Sequence, residues 1–323
     1  MLIILFMRTI YLHPGQPKTG TSFLQRNFFI HHPKINSLGK KNNHASVKKD
    51  LLETFHMIMH FDKLSEDDYQ KCFKTIKAID YKENMINLIS FEGFTQLNFK
   101  VNQDVIFKRL KNLFVDCNFR LKVFITIRNQ LSIIPSHYAN TPSIYVDKGI
   151  EFCKSFKSFI NNINKIGKFS EKNFINAYNR YKYFQLLQLT IEIFSEENVK
   201  ILFFEDMKKN SDTYFNEICS FMKTENYLPI NPGIAVNVTR KKARELKRIN
   251  KYFFSQNRVL YYFSKIIPKT LREIIANFFI DLKNFRDPII LDKDQEDIIV
   301  NYYRKDNELL AKYLNKDLKS LGY

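Results

Sequence analysis

Tryptophan is absent from this chain of 323 residues, glycine occurs only 8 times and proline 9 times. So little glycine and proline excludes collagen-like and low-complexity sequence, and it makes each glycine in a turn informative. Cysteine is scarce as well: Cys72, Cys117, Cys153 and Cys219 stand far apart with no C-x-x-C pair. That spacing suggests neither a zinc knuckle nor a disulfide framework, and reduced thiols are the simplest reading. No apolar run reaches the roughly 20 residues that a membrane span needs. The opening "MLIILFM" has no basic residue ahead of it and no small-residue cleavage site, so no signal peptide is read and a cytoplasmic location is expected.

Positive charge and aromatic rings are what the chain has in excess. Lys and Arg number 51 against 33 Asp and Glu, a formal net charge of +18, beside 31 Phe and 17 Tyr. Apolar content is too high for a disordered chain. The charge suits a polyanionic partner: a nucleic acid, an anionic membrane, or a ligand bearing phosphate or sulfate.

Short β-rich runs alternate with longer helical patterns, which is how a parallel sheet with crossover helices reads in sequence. The expected fold class is α/β, a three-layer P-loop NTPase-like parallel sheet flanked by helices, with a helical C-terminal extension. Strands are expected at "RTIYLH" (8–13), "MINLIS" (85–90), "LKVFITI" (121–127) and "VKILFF" (199–204). Helical patterns cover 21–30, 47–60, 65–79, 103–114, 151–165, 171–196, 211–222 and 294–315. Ligands of open α/β sheets lie outside the carboxyl ends of the strands, so residues 13–21, Glu92, Arg128, Glu205 and Asp206 should gather along one edge. Residues 1–235 form the expected core. Residues 236–323, with the basic "TRKKARELKR" and aromatic stretches over 239–285, form a helical part that either caps the sheet or meets a membrane surface.

After the first strand comes Gly15-Gln16-Pro17-Lys18-Thr19-Gly20-Thr21-Ser22. A strand, a glycine turn and a helix start aim backbone N–H groups and the helix dipole at one small anion. The loop length matches G-x-x-x-x-G-K-[ST], yet Thr21 holds the position of the usual lysine. Moving the cation to Lys18 lets it approach from the side the atom bonded to a single phosphate, which suits a nucleotide carrying a labile group.

In these residues the chain resembles the sulfotransferases that use 3′-phosphoadenosine 5′-phosphosulfate (PAPS). "HPGQPKTGTSFLQ" looks like their 5′-phosphosulfate loop, and the resemblance makes Gly15, Lys18, Thr19, Gly20, Thr21 and Ser22 cofactor-binding residues. "TIRNQLSIIPSHY" is similar to their second motif, with Arg128 and Ser136 as the pair gripping the 3′-phosphate. Arg128 offers a planar, permanently charged fork that fits a phosphate, whatever the family. "LISFEGF" (88–94), "FFEDM" (203–207) and the stretch from "YYRKDNELLAKYLNKDL" to "GY" resemble other parts of the family. "NVTRKKAR" (237–244) resembles in its basic character the loop that closes over the 3′-phosphate, with Arg240, Lys241 and Lys242 as candidates, although its spacing departs from the better-known form.

The resemblance implies in-line transfer of a sulfuryl group to a hydroxyl or amine. Such a reaction needs a base for the acceptor's proton and a cation beside the leaving phosphate. Lys18 is the candidate for the cation, Glu92 the first candidate for the base and His137 the second. His13 is read as shaping the loop. The pair His56 and His60 has i, i+4 spacing but no third ligand, so no metal site is expected. The expected acceptor is a carbohydrate or glycolipid, with a bacterial cytoplasm as the setting. Two other classes carry part of the pattern: a P-loop kinase or triphosphatase, for which "FFED" offers an acid but Thr21 leaves the lysine role empty, and a basic nucleic-acid-binding protein, for which no aromatic RNA-binding motif or zinc finger is present.

Overall fold

The computed structural model describes residues 7–38, 49–95, 101–140, 156–161, 163, 178–229, 268 and 289–323. Among them, β1 (Arg8–His13), β2 (Ile35–Ser37), β3 (Ile86–Ser90), β4 (Phe119–Ile127) and β5 (Val199–Phe203) form one parallel sheet in the order β2-β3-β1-β4-β5. Helices flank it, as the alternating pattern predicts. Ile10, Leu12, Leu88, Ile89, Val123, Phe124, Ile125 and Ile127 are almost wholly buried. Near-continuous apolar runs of this kind are what strands covered on both faces require.

Because every pair is parallel, all carboxyl ends lie along one edge. β1 lies between β3 and β4, so the chain order reverses at its carboxyl end, which is where ligands of such sheets bind. Two helices, α1 (Lys49–His60) and α2 (Glu66–Lys77), separate β2 from β3, and α3 (Gln103–Asp116) separates β3 from β4. Local chemistry sets their limits. Ser65 and Asp68 form a reciprocal capping box at the start of α2. Arg109 of α3 donates to the carbonyls of Ile58, Phe61 and Asp62 and so satisfies the end of α1.

Several elements differ from the sequence pattern, among them the helices Gln130–Asn140 and Phe204–Lys209, for which no helix was expected. The helix expected over 21–30 starts as α-helix at Thr21–Phe23 but is π-wound from Leu24 to Phe29, a form frequent next to functional sites. β2 was not anticipated, since three residues are too few to show a period. The helix expected over 171–196 is interrupted at 180–182: Tyr178 and Asn179 are helical, a turn closes through Tyr181 N–H to the Tyr178 carbonyl, and helix resumes over Tyr183–Phe194 (α4); residues 171–177 lie outside the described residues. The stretch 239–285 also lies outside them, apart from Pro268. Cys72, Cys117 and Cys219 are free and buried, and Cys153 falls outside the described residues.

The chain divides into two compact units. One comprises residues 1–129, 169–234 and 303–323 and holds the sheet. The other comprises 130–168 and 235–302, and its described residues include the helices Gln130–Asn140 and Phe156–Asn161.

Candidate active site

β1 delivers the chain into a loop with three left-handed residues: Gly15 at φ +54°, Lys18 at φ +71° and Gly20 at φ +83°. Gly15 is needed for space as well as conformation, and Gly20 above all for conformation. A Cβ on Gly15 would stand 2.6 Å from Thr21 Oγ1, and one on Gly20 would stand 2.9 Å from Met207 Cε. Lys18 has no such excuse, and a non-glycine residue held there costs on the order of 1–3 kcal/mol, a strain that clusters at ligand clamps. The loop is closed by its own bonds. Buried Thr19 donates from Oγ1 to the Gln16 carbonyl at 2.7 Å, and the Gly20 carbonyl accepts from Phe23 and Leu24. Thr21 and Ser22 then open the helical segment, where the first N–H groups have no intrahelical acceptor.

Beneath the loop, His13 is completely buried and stacks on Phe124, with ring centroids 4.9 Å apart. Its Nδ1 pairs with Ser90 Oγ at 2.9 Å, and Gln25 Nε2 donates to the same hydroxyl. Burial pushes its pKa down to about 3, so the imidazole is neutral and structural, in line with a loop-shaping role. Glu92, half-buried, opens the single 3₁₀ turn Glu92–Thr95 at the end of β3. Thr95 closes that turn and donates from Oγ1 to the Gly15 carbonyl at 2.6 Å, which ties the base candidate's turn to the start of the loop.

Arg128 follows the carboxyl end of β4. Its Nη1 donates to the Lys18 carbonyl at 3.1 Å, and its guanidinium carbon lies 4.9 Å from the centre of the Phe204 ring. Burial lowers its pKa from the ordinary value, with Glu205, Tyr183 and Tyr323 opposing the shift. Distant residues hold this strand end. Tyr183, at the start of α4, donates to the Arg128 carbonyl at 2.6 Å. Glu205 accepts from both the backbone and side-chain nitrogens of Asn129, at 3.0 and 2.9 Å, and from the Tyr323 hydroxyl at 3.1 Å. Asn129 also donates to the Leu321 carbonyl. Asp306 accepts from the N–H groups of Phe184 and Gln185 and so caps the helix that presents Tyr183.

Within the sheet-bearing unit, then, the structure joins Lys18 and its loop to Arg128, and the loop to the turn of Glu92. Glu205 lies at the same edge as anticipated, while Asp206 pairs with Lys316 at 2.8 Å. Ser136 and His137 lie on the helix Gln130–Asn140 of the other unit, His137 buried and Ser136 half-buried. Arg240, Lys241 and Lys242 fall outside the described residues. His56 and His60 are exposed with ring centroids 4.6 Å apart, and no group of three or more metal-ligating side chains occurs among the described residues. Gln16, Thr95, Arg180, Tyr183 and Tyr323 support the loop or the strand end without having been singled out in sequence.

A family model described as "Sulfotransferase domain" matches residues 14–241. Among solved structures the chain is similar to a sulfotransferase from Alicyclobacillus acidocaldarius, 14% identical over 98% of this chain and 99% of that one, with a TM-score of 0.52. At that identity the likeness concerns the fold. It also aligns with the sulfotransferase domain from the curacin biosynthetic pathway, at 13% identity over 96% of this chain and 98% of that one and a TM-score of 0.36. A search among curated proteins returns no match.

Proposed function

Because the chain belongs to the sulfotransferase domain family, whose model covers residues 14–241, we propose that it transfers the sulfuryl group of PAPS to a hydroxyl or amine of a carbohydrate or glycolipid. The observation that carries this reading is the contact at 3.1 Å between Arg128 Nη1 and the carbonyl of Lys18. It brings a permanent cation on one strand end against a strained glycine loop on the next. Two anion-binding elements so joined suit a nucleotide with two separate phosphates.

In the proposed reaction, Glu92 takes the proton of the acceptor, with His137 as the second candidate. The acceptor oxygen or nitrogen forms a bond to sulfur while the bond from sulfur to the bridging oxygen breaks. Lys18 stabilises the charge that develops on that oxygen, and Gly15, Thr19, Gly20, Thr21 and Ser22 hold the 5′-phosphate. Arg128 and Ser136, with Arg240 and Lys241, hold the 3′-phosphate. No step calls on a metal ion. Acceptors made inside a bacterial cell, such as a sugar nucleotide or a capsular precursor, complete the proposal together with a cytoplasmic location. Among the described residues no helix is long and apolar enough to cross a membrane.

The test is transfer of radiolabelled sulfate from PAPS to a panel of glycans, glycolipids and sugar nucleotides beside simple phenols and steroids. Lys18→Met should lower kcat by about 10²–10³-fold while 3′-phosphoadenosine 5′-phosphate still binds. Sulfation of phenols and steroids alone would refute the acceptor class.

A further inference from the structure

Arg180 has no part in the reaction as proposed, yet its guanidinium is built into the start of the loop. Nη2 donates to the Thr95 carbonyl at 3.0 Å, and Gln16 Nε2 donates to the Arg180 carbonyl at 3.3 Å. The ring of Tyr181 lies 5.4 Å from the guanidinium carbon. Nε and Nη1 are buried without a hydrogen-bond partner, as is Gln16 Oε1 on a side chain only 3% exposed. Among the described residues no carboxylate forms an ion pair with Arg180. Arg180 as a whole is half-buried, but guanidinium nitrogens shut off from water in this way are penalised until hydrogen-bond acceptors complete them.

The missing partner has a definable chemistry. Two guanidinium nitrogens call for an oxyanion, and an amide oxygen calls for an O–H or N–H donor. The place of the arginine tells which reactant would bring them. Thr95 closes the turn that Glu92 opens, and it reaches the loop at Gly15, whereas Arg128 reaches the loop at Lys18. Arg180 is therefore anchored on the side of the base candidate. We infer that Arg180, with Gln16, binds an anionic group of the acceptor, so that the acceptor is an acidic sugar or an acidic glycan bearing a carboxylate or sulfate near a free hydroxyl. This inference rests on the proposed transfer reaction and narrows its acceptor.

Three probes that differ only at one carbon separate the possibilities: glucuronic acid, glucose 6-sulfate and glucose. Each is titrated into the wild-type protein, with and without saturating 3′-phosphoadenosine 5′-phosphate, and binding is read by calorimetry and by the shift in Tm. One or both acidic sugars should bind, by about thirtyfold or more over glucose, and Arg180→Gln should abolish that preference. Arg180→Lys, which keeps charge but loses the planar fork, should restore part of it. A preference for the carboxylate or for the sulfate names the group. Equal binding of all three sugars by the wild type overturns the inference, even if Arg180→Gln fails to fold. So does a preference untouched by Arg180→Gln, or a loss of bisphosphate affinity in that variant as large as in Arg128→Ala, which would assign Arg180 to the donor. Failure of the wild type to bind the bisphosphate refutes the donor reading instead, and the sugar titrations without nucleotide still test Arg180.

Discussion

Two parts of the proposed anion site are held in opposite ways. The glycine loop closes on bonds between near neighbours: Thr19 and Thr21 donate to the Gln16 carbonyl across three and five positions. The strand end carrying Arg128 is held from afar. Tyr183 is 55 positions away, Glu205 lies 76 positions from Asn129, and Leu321 lies 192 from it. A local device needs the right residues in the right order, whereas a remote one needs the whole unit folded around it. Damage to the loop should therefore stay local, and damage to the strand end should be felt in proportion to how many supports remain.

The largest expected effect falls on the cation itself. Arg128→Ala removes a buried charge-assisted contact, and bisphosphate affinity should drop by about 2–5 kcal/mol in a calorimetric titration. An unchanged affinity would mean that the strand end is only scaffolding. Next comes Gly20→Ala, which forces a Cβ into the left-handed region and against Met207 and Phe204. A cost of about 1–3 kcal/mol is expected in chemical unfolding, with binding impaired further.

The loop's footing makes a prediction about pH. His13 stays neutral in the folded state down to about pH 3, whereas the unfolded chain protonates below the ordinary 6.5. Its contribution to stability is thus complete above that value and is lost as pH falls toward 3, by up to about 1.4 kcal/mol per unit. His32, also lowered by burial, adds to the same acid limb. Replacing His13 by Gln should flatten the acid limb relative to wild type in unfolding curves taken between those limits. Equal slopes would contradict a neutral buried imidazole.

The smallest effect belongs to the remote supports taken singly. Tyr183→Phe removes one donor from the Arg128 carbonyl and should cost about 1 kcal/mol of stability, with a modest loss of bisphosphate affinity. Tyr323→Phe should do less, because Glu205 keeps both bonds from Asn129. If either were as damaging as Arg128→Ala, the supports would not share the task as the geometry indicates.

The same contrast explains what could be read from the amino acids alone. β1, β3, β4 and β5 stand out because strands buried on both faces are near-continuous, β-rich apolar runs, and Gly15, Lys18 and Gly20 stand out because φ and charge are local demands. Arg128 is legible from its place after "LKVFITI". Thr95, Arg180, Tyr183 and Tyr323 are not, since each acts through a backbone carbonyl or a carboxylate far along the chain, and nothing in the neighbouring sequence encodes such a partner. β2 escaped for a different reason: its three residues pair only through the register set by β3.

The most direct test of the proposed two-phosphate site is a calorimetric titration of the wild-type protein with 3′-phosphoadenosine 5′-phosphate beside ATP with Mg²⁺. Tight binding of the bisphosphate, with ATP bound far more weakly, is the result the account predicts. Binding of ATP with no measurable binding of the bisphosphate would contradict it and make the chain a divergent user of nucleoside triphosphates.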